Sequence, residues 1–351
     1  MTIIERLSAN GIRRIGAPKK GFHYKRSDGR KPTRAELARI ESLKIPPAWT
    51  DVRISTAATG SVQAIGQDGA GRWQYLYHEN YVRLRERKKL TRLIRFAESL
   101  PALRKTVARH LRLPGLPRER VMAAILRILS ASFIRPGSQV YADENGSYGI
   151  ATLRPRHVKV RGDVIVFDFP GKSGVQQHRE FRDRAVARIL RELLRHPARE
   201  VFKYQNGDGQ FVDVKRRHIN DYIQEVMSGN FTAKDFRTWA GTLICSCALA
   251  RAASELADEE LSKRPAHLKR KLVAAIKETA QALGNTPAVC RDAYVCPLVM
   301  DGFAQGKVIN RYFESVQELI RYRGVALHPA ERSLLRFLRQ QAITGRQVKT
   351  Q

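Results

Sequence analysis

Arg72-Trp73-Gln74-Tyr75-Leu76-Tyr77 is followed, a few residues later, by Arg83-Leu84-Arg85-Glu86-Arg87-Lys88-Lys89 and then by Leu90-Thr91-Arg92-Leu93-Ile94-Arg95-Phe96-Ala97. In the first segment the side chains alternate, as in a strand. In the last, apolar residues recur every three or four positions, as on one face of a helix. The change of period across this short charged run divides the chain. Before it, Val52-Arg53-Ile54-Ser55 and Ser61-Val62-Gln63-Ala64-Ile65 also alternate, punctuated by Gly60, Asp68-Gly69 and Gly71. One helix interrupts them, announced by the capping box of Thr33 and Glu36 ahead of Leu37, Ile40 and Leu43.

After it, helical patterning dominates. Leu90 to Ser99 is periodic, Pro101 is expected to start a second helix, and Arg118 to Ile134 carries Val121, Ile125, Ile128 and Leu129 on one face. Between Tyr148 and Phe181 the period returns to two, in Ile150-Ala151-Thr152-Leu153, Val158-Lys159-Val160 and Val164-Ile165-Val166-Phe167. This predicts a short antiparallel sheet with Gly171-Lys172-Ser173-Gly174 at a hairpin tip. Helices are expected over Arg182–His196, Asp213–Met227, Thr232–Ala253 and His267–Leu283. Gly284 stops the last of these, and Thr286-Pro287 restarts a helix. The region after Tyr322 reads as basic and peripheral. The fold class is therefore α+β: a small β-rich N-terminal domain over residues 1–85 and a larger, mainly α-helical domain over residues 90–351.

Composition points to a polyanion. The chain has 351 residues, with 64 Lys+Arg against 33 Asp+Glu, a net charge of +31. Each phosphate that such a surface neutralises releases condensed counterions, which favours nucleic acid as the partner. Hydrophobic residues make up 43% of the chain and the basic residues are dispersed among them, so this is a folded protein and not a basic tail. No secretory leader is evident, and the nearly uncharged stretch Trp239 to Ala250 is too short for a bilayer. Cys245, Cys247, Cys290 and Cys296 lack metal-ligand spacing, so no metal or other cofactor is expected. These features predict a cytoplasmic, nucleoid-associated protein with reduced thiols.

Four residues carry chemistry that fits a phosphodiester: Arg135 in Phe133-Ile134-Arg135-Pro136-Gly137, Lys172, Arg237 in Asp235-Phe236-Arg237-Thr238-Trp239, and Tyr294. A phenol can attack phosphorus, guanidiniums can hold the extra negative charge, and an ammonium can protonate the leaving oxygen. Taken singly, each has an ordinary reading: a helix-end charge, a surface lysine on a turn, a core tyrosine. Arg237 is the odd one, since it enters an apolar helix where a guanidinium wants a fixed anion. Cys245 and Cys247 read as inert core residues.

Their order and neighbours resemble the type IB DNA topoisomerases, in particular the compact poxvirus-like branch found in bacteria. The matching segments are Phe133-Ile134-Arg135-Pro136-Gly137, Tyr148-Gly149-Ile150-Ala151-Thr152-Leu153 with His157, Gly171-Lys172-Ser173-Gly174, Lys234-Asp235-Phe236-Arg237-Thr238, and Thr279-Ala280 through Gly284-Asn285-Thr286-Pro287 to Tyr294. The similarity runs from about Ile12 to Tyr322.

The resemblance implies that Tyr294 forms a 3′-phosphotyrosyl link to duplex DNA, that Arg135 and Arg237 grip the non-bridging oxygens, and that Lys172 protonates the 5′-oxygen. The implied activity is relaxation of supercoils by nicking, strand rotation and resealing without ATP or metal, by a monomer clamping double-stranded DNA. Asn285 stands where many members of the family have histidine, and its amide can donate a hydrogen bond but cannot shuttle a proton. The alternative for Asn285 is that it merely caps the helix at Pro287.

Arg72, Gln74, Tyr75 and Tyr77 resemble the strand that enters the DNA groove in these enzymes; the alternative is a half-buried strand with aromatic packing. His157 matches the family but reads as structural. Two rival functions remain at this stage. One is a tyrosine recombinase, whose usual His-x-x-Arg is here Lys234-Asp235-Phe236-Arg237. The other is a non-catalytic DNA-packaging protein, which would explain the charge but not the matched segments.

Overall fold

The computed structural model describes residues 1–255 and 265–347. The chain separates into two compact units, the first Met1–Lys89 and the second beginning at Leu90.

In the first unit, helix α1 (Ile3–Asn10) is followed by strands β1 (Ile12–Ala17) and β2 (Gly21–Arg26), helix α2 (Arg34–Ser42), and strands β3 (Thr50–Ile54), β4 (Val62–Gln67) and β5 (Trp73–Tyr77). The strands form one antiparallel sheet in the order β2-β1-β3-β4-β5. Thr33 and Glu36 form the expected capping box at the start of α2. Of its apolar residues Ile40 is buried whereas Leu37 faces solvent. Ile40 packs with Ile12, Val52, Ile54 and Ala64 on one face of the sheet. On the other face, Leu7, Val62 and Ile65 gather Trp73, Tyr75 and Tyr77. Burying both faces is what lets so small a sheet hold together.

Helix α3 (Glu79–His110) contains the charged run Arg83–Lys89 and, contrary to expectation, continues through Pro101. Its buried stripe, Leu93, Phe96, Ala97, Leu100, Leu103 and Val107, keeps helical spacing on both sides of the proline. Proline costs one ladder hydrogen bond, but its fixed φ is compatible with a helix, and here packing on both sides holds the axis together.

Helices α4 (Arg118–Ser132) and α5 (Gln139–Asn145) lead to strands β6 (Val158–Arg161), β7 (Val164–Pro170) and β8 (Gln176–Arg182), an antiparallel meander with Lys172–Gly174 at the β7–β8 turn. Ile150–Thr152, read as strand-like from its sequence, is instead a tight 3₁₀ turn. Ile150 and Ala151 donate their N–H groups to the carbonyls of Arg135 and Pro136, which diverts them from any ladder.

Helix α6 (Arg184–Leu194) begins at Asp183, whose carboxylate caps Val186. A hairpin that the sequence reading lacked, β9 (Lys203–Gln205) with β10 (Phe211–Asp213), precedes α7 (Arg216–Met227). Helices α8 (Ala233–Glu255), α9 (Pro265–Leu283), α10 (Pro287–Tyr294), α11 (Pro297–Ala304), α12 (Val316–Arg321) and α13 (Pro329–Gln347) complete the unit.

Helix α8 is the hub: sixteen of its residues, from Ala233 to Ala252, are buried. A helix apolar on all sides belongs inside a bundle. It packs on α9, α10, α11 and α13. The last contact overturns the expectation of a peripheral C-terminal region. Ala330, Leu334, Leu335, Phe337 and Leu338 are buried, and Glu331, 1% exposed, binds both Arg104 and the indole N–H of Trp239. The basic residues of α13 had masked an amphipathic helix. Among the described residues, no helix is long and apolar enough to cross a membrane.

Candidate active site

Arg237 is 3% exposed at the start of α8, and the reason it sits there is local. The helix start is fixed by Asp235, which accepts hydrogen bonds from the backbone N–H and hydroxyl of Thr232 and a two-pronged pair from Arg92 on α3. Two residues on, Arg237 turns inward. Its guanidinium donates to the carbonyls of Phe133 and Leu283 and to the Asn285 side-chain oxygen, at 3.0 Å and 3.1 Å for the latter two. Phe133 ends α4 in the left-handed region, at φ +55°, a conformation costing roughly 1–2 kcal/mol for a residue with a side chain. That turn aims its carbonyl at Arg237 and sends the chain to Arg135.

The Arg135 loop is held by Gly149. A methyl group there would lie 2.5 Å from both the Arg135 carbonyl and the Gly137 nitrogen. The close backbone approach lets Ile150 and Ala151 clamp the loop, and Arg135 then reaches the Asn285 carboxamide oxygen.

Asn285 lies between α9 and α10. Its oxygen serves both arginines, while its Nδ2 is buried with no hydrogen-bond partner among the described residues. The cap of α10 is Thr286, not Asn285, so the capping alternative is removed. A buried amide left with a free donor is costly unless something else accepts from it.

Tyr294 ends α10 at 9% exposure, with the Arg237 guanidinium over its ring at 4.8 Å. Burial pushes the phenol up. The charge of Arg237, and then that of Arg135, outweighs it, so the phenol titrates below its ordinary value of 10.0. Arg237 in turn is pulled down to about 10, first by burial, then by the neighbouring charges of Arg135 and Arg179 against the favourable pull of Tyr294. The main chain at Tyr294 is pinned too: Thr242 donates its hydroxyl to the Tyr294 carbonyl at 3.2 Å and accepts from the Cys296 N–H at 3.1 Å. Gly241, one residue earlier on α8, leaves room for Tyr294, since a methyl group there would lie 2.9 Å from its carbonyl oxygen.

The structure thus brings together Arg135, Arg237, Asn285 and Tyr294. Lys172 is exposed at the hairpin tip, between Gly171 and a Ser173-Gly174 pair of positive φ, and has no hydrogen-bond or ion-pair partner among the described residues. His157 is buried, accepts from the Arg154 backbone N–H at Nδ1, and packs on Tyr148 and Phe169. Burial and the two arginines lower it to about 4, so it is a neutral structural ring near neutral pH. Cys245 and Cys247 are buried in the core, where burial raises their thiols to about 12. They are inert there, as expected.

In the first unit, Arg72 and Gln74 both bind Asp68, at 3.0 Å and 2.9 Å. Tyr75 and Tyr77 stack at 6.1 Å, both half-buried on the Leu7 side of the sheet. The column continues through Tyr81, 5.2 Å from Tyr77, to Arg85 over both of the latter rings. The sequence reading places Arg85 in the charged run but does not link it or Tyr81 to Tyr77, because the pattern changes there from strand to helix. Gly241 and Thr242 left a fainter signal: a glycine inside an apolar helix marks a close approach.

A family model for the catalytic core of eukaryotic DNA topoisomerase I matches residues 79–305, and one for the N-terminal domain of bacterial DNA topoisomerase IB matches residues 21–68. DNA topoisomerase 1B of Acanthamoeba polyphaga mimivirus is 34% identical over 299 residues, covering 84% of this chain and 88% of the relative. DNA topoisomerase I of Monkeypox virus is 23% identical over 270 residues, covering 75% of this chain and 80% of the relative. The DNA topoisomerase 1 of Drosophila melanogaster is 29% identical over 129 residues, covering 35% of this chain and 12% of that protein.

Proposed function

This chain belongs to the type IB DNA topoisomerases, and from that premise we propose that Tyr294 is its nucleophile, with Arg135, Arg237, Asn285 and Lys172 serving the same phosphate. The enzyme relaxes supercoiled duplex DNA by transient cleavage of one strand, rotation and religation, without ATP or metal. The observation that carries the assignment of residues is the meeting of Arg237, Arg135 and the Asn285 carboxamide around one buried phenol.

The Tyr294 oxygen attacks phosphorus as the bond to the 5′-oxygen breaks, and the phenolic proton is lost to water. Negative charge grows on the non-bridging oxygens. Arg135 and Arg237 are fixed donors there before the reaction starts, so little reorganisation is needed. Asn285 supplies one neutral donor. Lys172 delivers a proton to the leaving 5′-oxygen, and its exposed turn suits a group brought into position by DNA. The phosphotyrosine preserves the bond, so the 5′-hydroxyl reverses the step after the free end has swivelled.

In this reading the protein acts as a monomer, both units engage one duplex as a clamp, and it resides in bacterial cytoplasm on the nucleoid. The net charge of +31 supports such a partner. Arg72, Gln74, Tyr75 and Tyr77 contribute groove contacts, with Asp68 yielding Arg72 and Gln74 to DNA.

The test is relaxation of a supercoiled plasmid in EDTA without nucleotide, beside denaturing capture of the protein–DNA adduct. Tyr294→Phe should bind DNA nearly as well as the parent, because phosphate contacts elsewhere are untouched, yet form no adduct. An adduct with Tyr294→Phe would mean another nucleophile.

A further inference from the structure

Arg179 on β8 belongs to none of the roles above, yet its half-buried guanidinium lies against the same site. One of its terminal nitrogens donates to Gln177 at 3.0 Å. A methyl group on Gly284, immediately before Asn285, would lie 2.2 Å from the Gln177 side-chain oxygen and 2.4 Å from that Arg179 nitrogen. Gly284 also holds φ +63°, so both backbone and space ask for glycine there. The missing side chain is what admits Arg179 beside Asn285.

The charges around it are unbalanced. Among the described residues, no carboxylate pairs with Arg135, Arg179 or Arg237. Arg179 titrates below its ordinary value, first through burial and then through the charge of Arg135; Arg179 in turn lowers Arg237. Three donors around this point are buried with no partner among the described residues: Arg179 Nε, Arg237 Nε and Asn285 Nδ2. Like charges packed together with idle donors are unfavourable, and an anion relieves both penalties. Elsewhere in the unit, partly buried arginines such as Arg92, Arg104 and Arg251 each have a carboxylate. Three such cations converging beside one phenol make this cluster a place for phosphate.

We propose that Arg179 is a further catalytic residue, a third guanidinium that donates to a non-bridging oxygen of the scissile phosphodiester. The phosphodiester carries one negative charge and the pentacoordinate species formed on attack carries two, so a third fixed cation favours the transition state over the ground state. Gln177 is its positioning partner. Its amide holds the guanidinium while its other end donates to the Val175 carbonyl at the base of the Lys172 hairpin, at 3.2 Å.

This inference rests on the assignment of Tyr294 as nucleophile, and the parent protein controls for that. Single-turnover cleavage at saturating DNA would be followed on two duplexes, one with an ordinary scissile phosphodiester and one with a neutral methylphosphonate there. Arg179→Ala should lose about 10²-fold in cleavage rate on the phosphodiester and only about threefold or less on one methylphosphonate diastereomer, where the charge it serves is gone. Arg179→Lys should recover part of the loss. Gln177→Ala should reduce cleavage less than Arg179→Ala. Thermal melting identifies folded variants, and if Arg179→Ala does not fold, Arg179→Lys on the two substrates carries the test. An equal loss on both substrates would make Arg179 merely structural, and weaker binding with an unchanged rate would place it on a flanking phosphate; either result overturns the proposal. A parent that forms no adduct through Tyr294 would instead defeat the assignment beneath it.

Discussion

The guanidinium of Arg237 lies over the ring of Tyr294, 4.8 Å from its centroid, while also donating to the Asn285 oxygen at 3.1 Å. One buried cation therefore touches both the Tyr294 ring and the Asn285 carboxamide. Because Arg237 and then Arg135 lower the phenol despite its burial, the reactive phenolate forms at a lower pH than for free tyrosine. The ascending limb of single-turnover cleavage against pH should lie below about 10 in the parent. It should move upward in Arg237→Ala, with a rate loss of about 10²–10³. A limb that stays in place would separate Arg237 from phenol activation.

Lys172 calls for a different experiment, because it has no hydrogen-bond or ion-pair partner among the described residues. If it protonates the 5′-oxygen, Lys172→Ala should be restored at the cleavage step by a 5′-bridging phosphorothiolate, whose thiolate leaves unprotonated. Arg135→Ala and Arg237→Ala should gain much less. Equal restoration in all three would deny Lys172 its role as acid.

Gly241 offers a test of placement without any change of charge. The added methyl in Gly241→Ala would meet the Tyr294 carbonyl at 2.9 Å and its Cβ at 3.1 Å. Cleavage should fall about 10²-fold from misplacement of the nucleophile while DNA affinity, measured separately, stays near that of the parent. Full activity would show that α10 shifts freely.

His157 makes folding sensitive to acid. It titrates near 4 in the fold against 6.5 as a free side chain, so the unfolded chain binds the extra proton between those values. Stability from this group is complete above about pH 6.5 and falls as pH drops toward 4, by at most ~3 kcal/mol. Urea midpoints across that window should decline less steeply in His157→Gln. Identical slopes would assign the acid sensitivity to other groups.

Glu331 should prove important for a helix that its composition made look peripheral. Its carboxylate, 1% exposed, binds Arg104 at 2.8 Å and 2.9 Å and Trp239 at 3.1 Å. Glu331→Ala removes the carboxylate from a partly buried guanidinium and strands the indole N–H, and should cost about 3 kcal/mol in chemical denaturation. A change below about 1 kcal/mol would mean that water replaces the carboxylate.

Local signals reached far into this protein. The shift of period after Tyr77, the Thr33–Glu36 box, the glycine-flanked Lys172 turn and the Gly284 stop each depend on neighbours in the chain, and each appears in the structure. Where reading failed, tertiary packing overrode a local preference. Pro101 stays inside α3 because its buried stripe continues, Ile150–Thr152 gives up its strand-like pattern to clamp the Arg135 loop, and α13 hides an apolar face among basic residues.

By itself, the sequence determined the α+β class, the polyanionic partner and the residue types that phosphoryl transfer on tyrosine requires, since composition, periodicity and motif order all lie along the chain. Only the tertiary structure decided that Arg135 and Arg237 share the oxygen of Asn285, that Gly241 and Thr242 seat Tyr294, and that Arg179 enters over Gly284. Those relationships join positions as much as 150 residues apart. They depend on close backbone approach and on the desolvation of charges, neither of which exists until the helices pack.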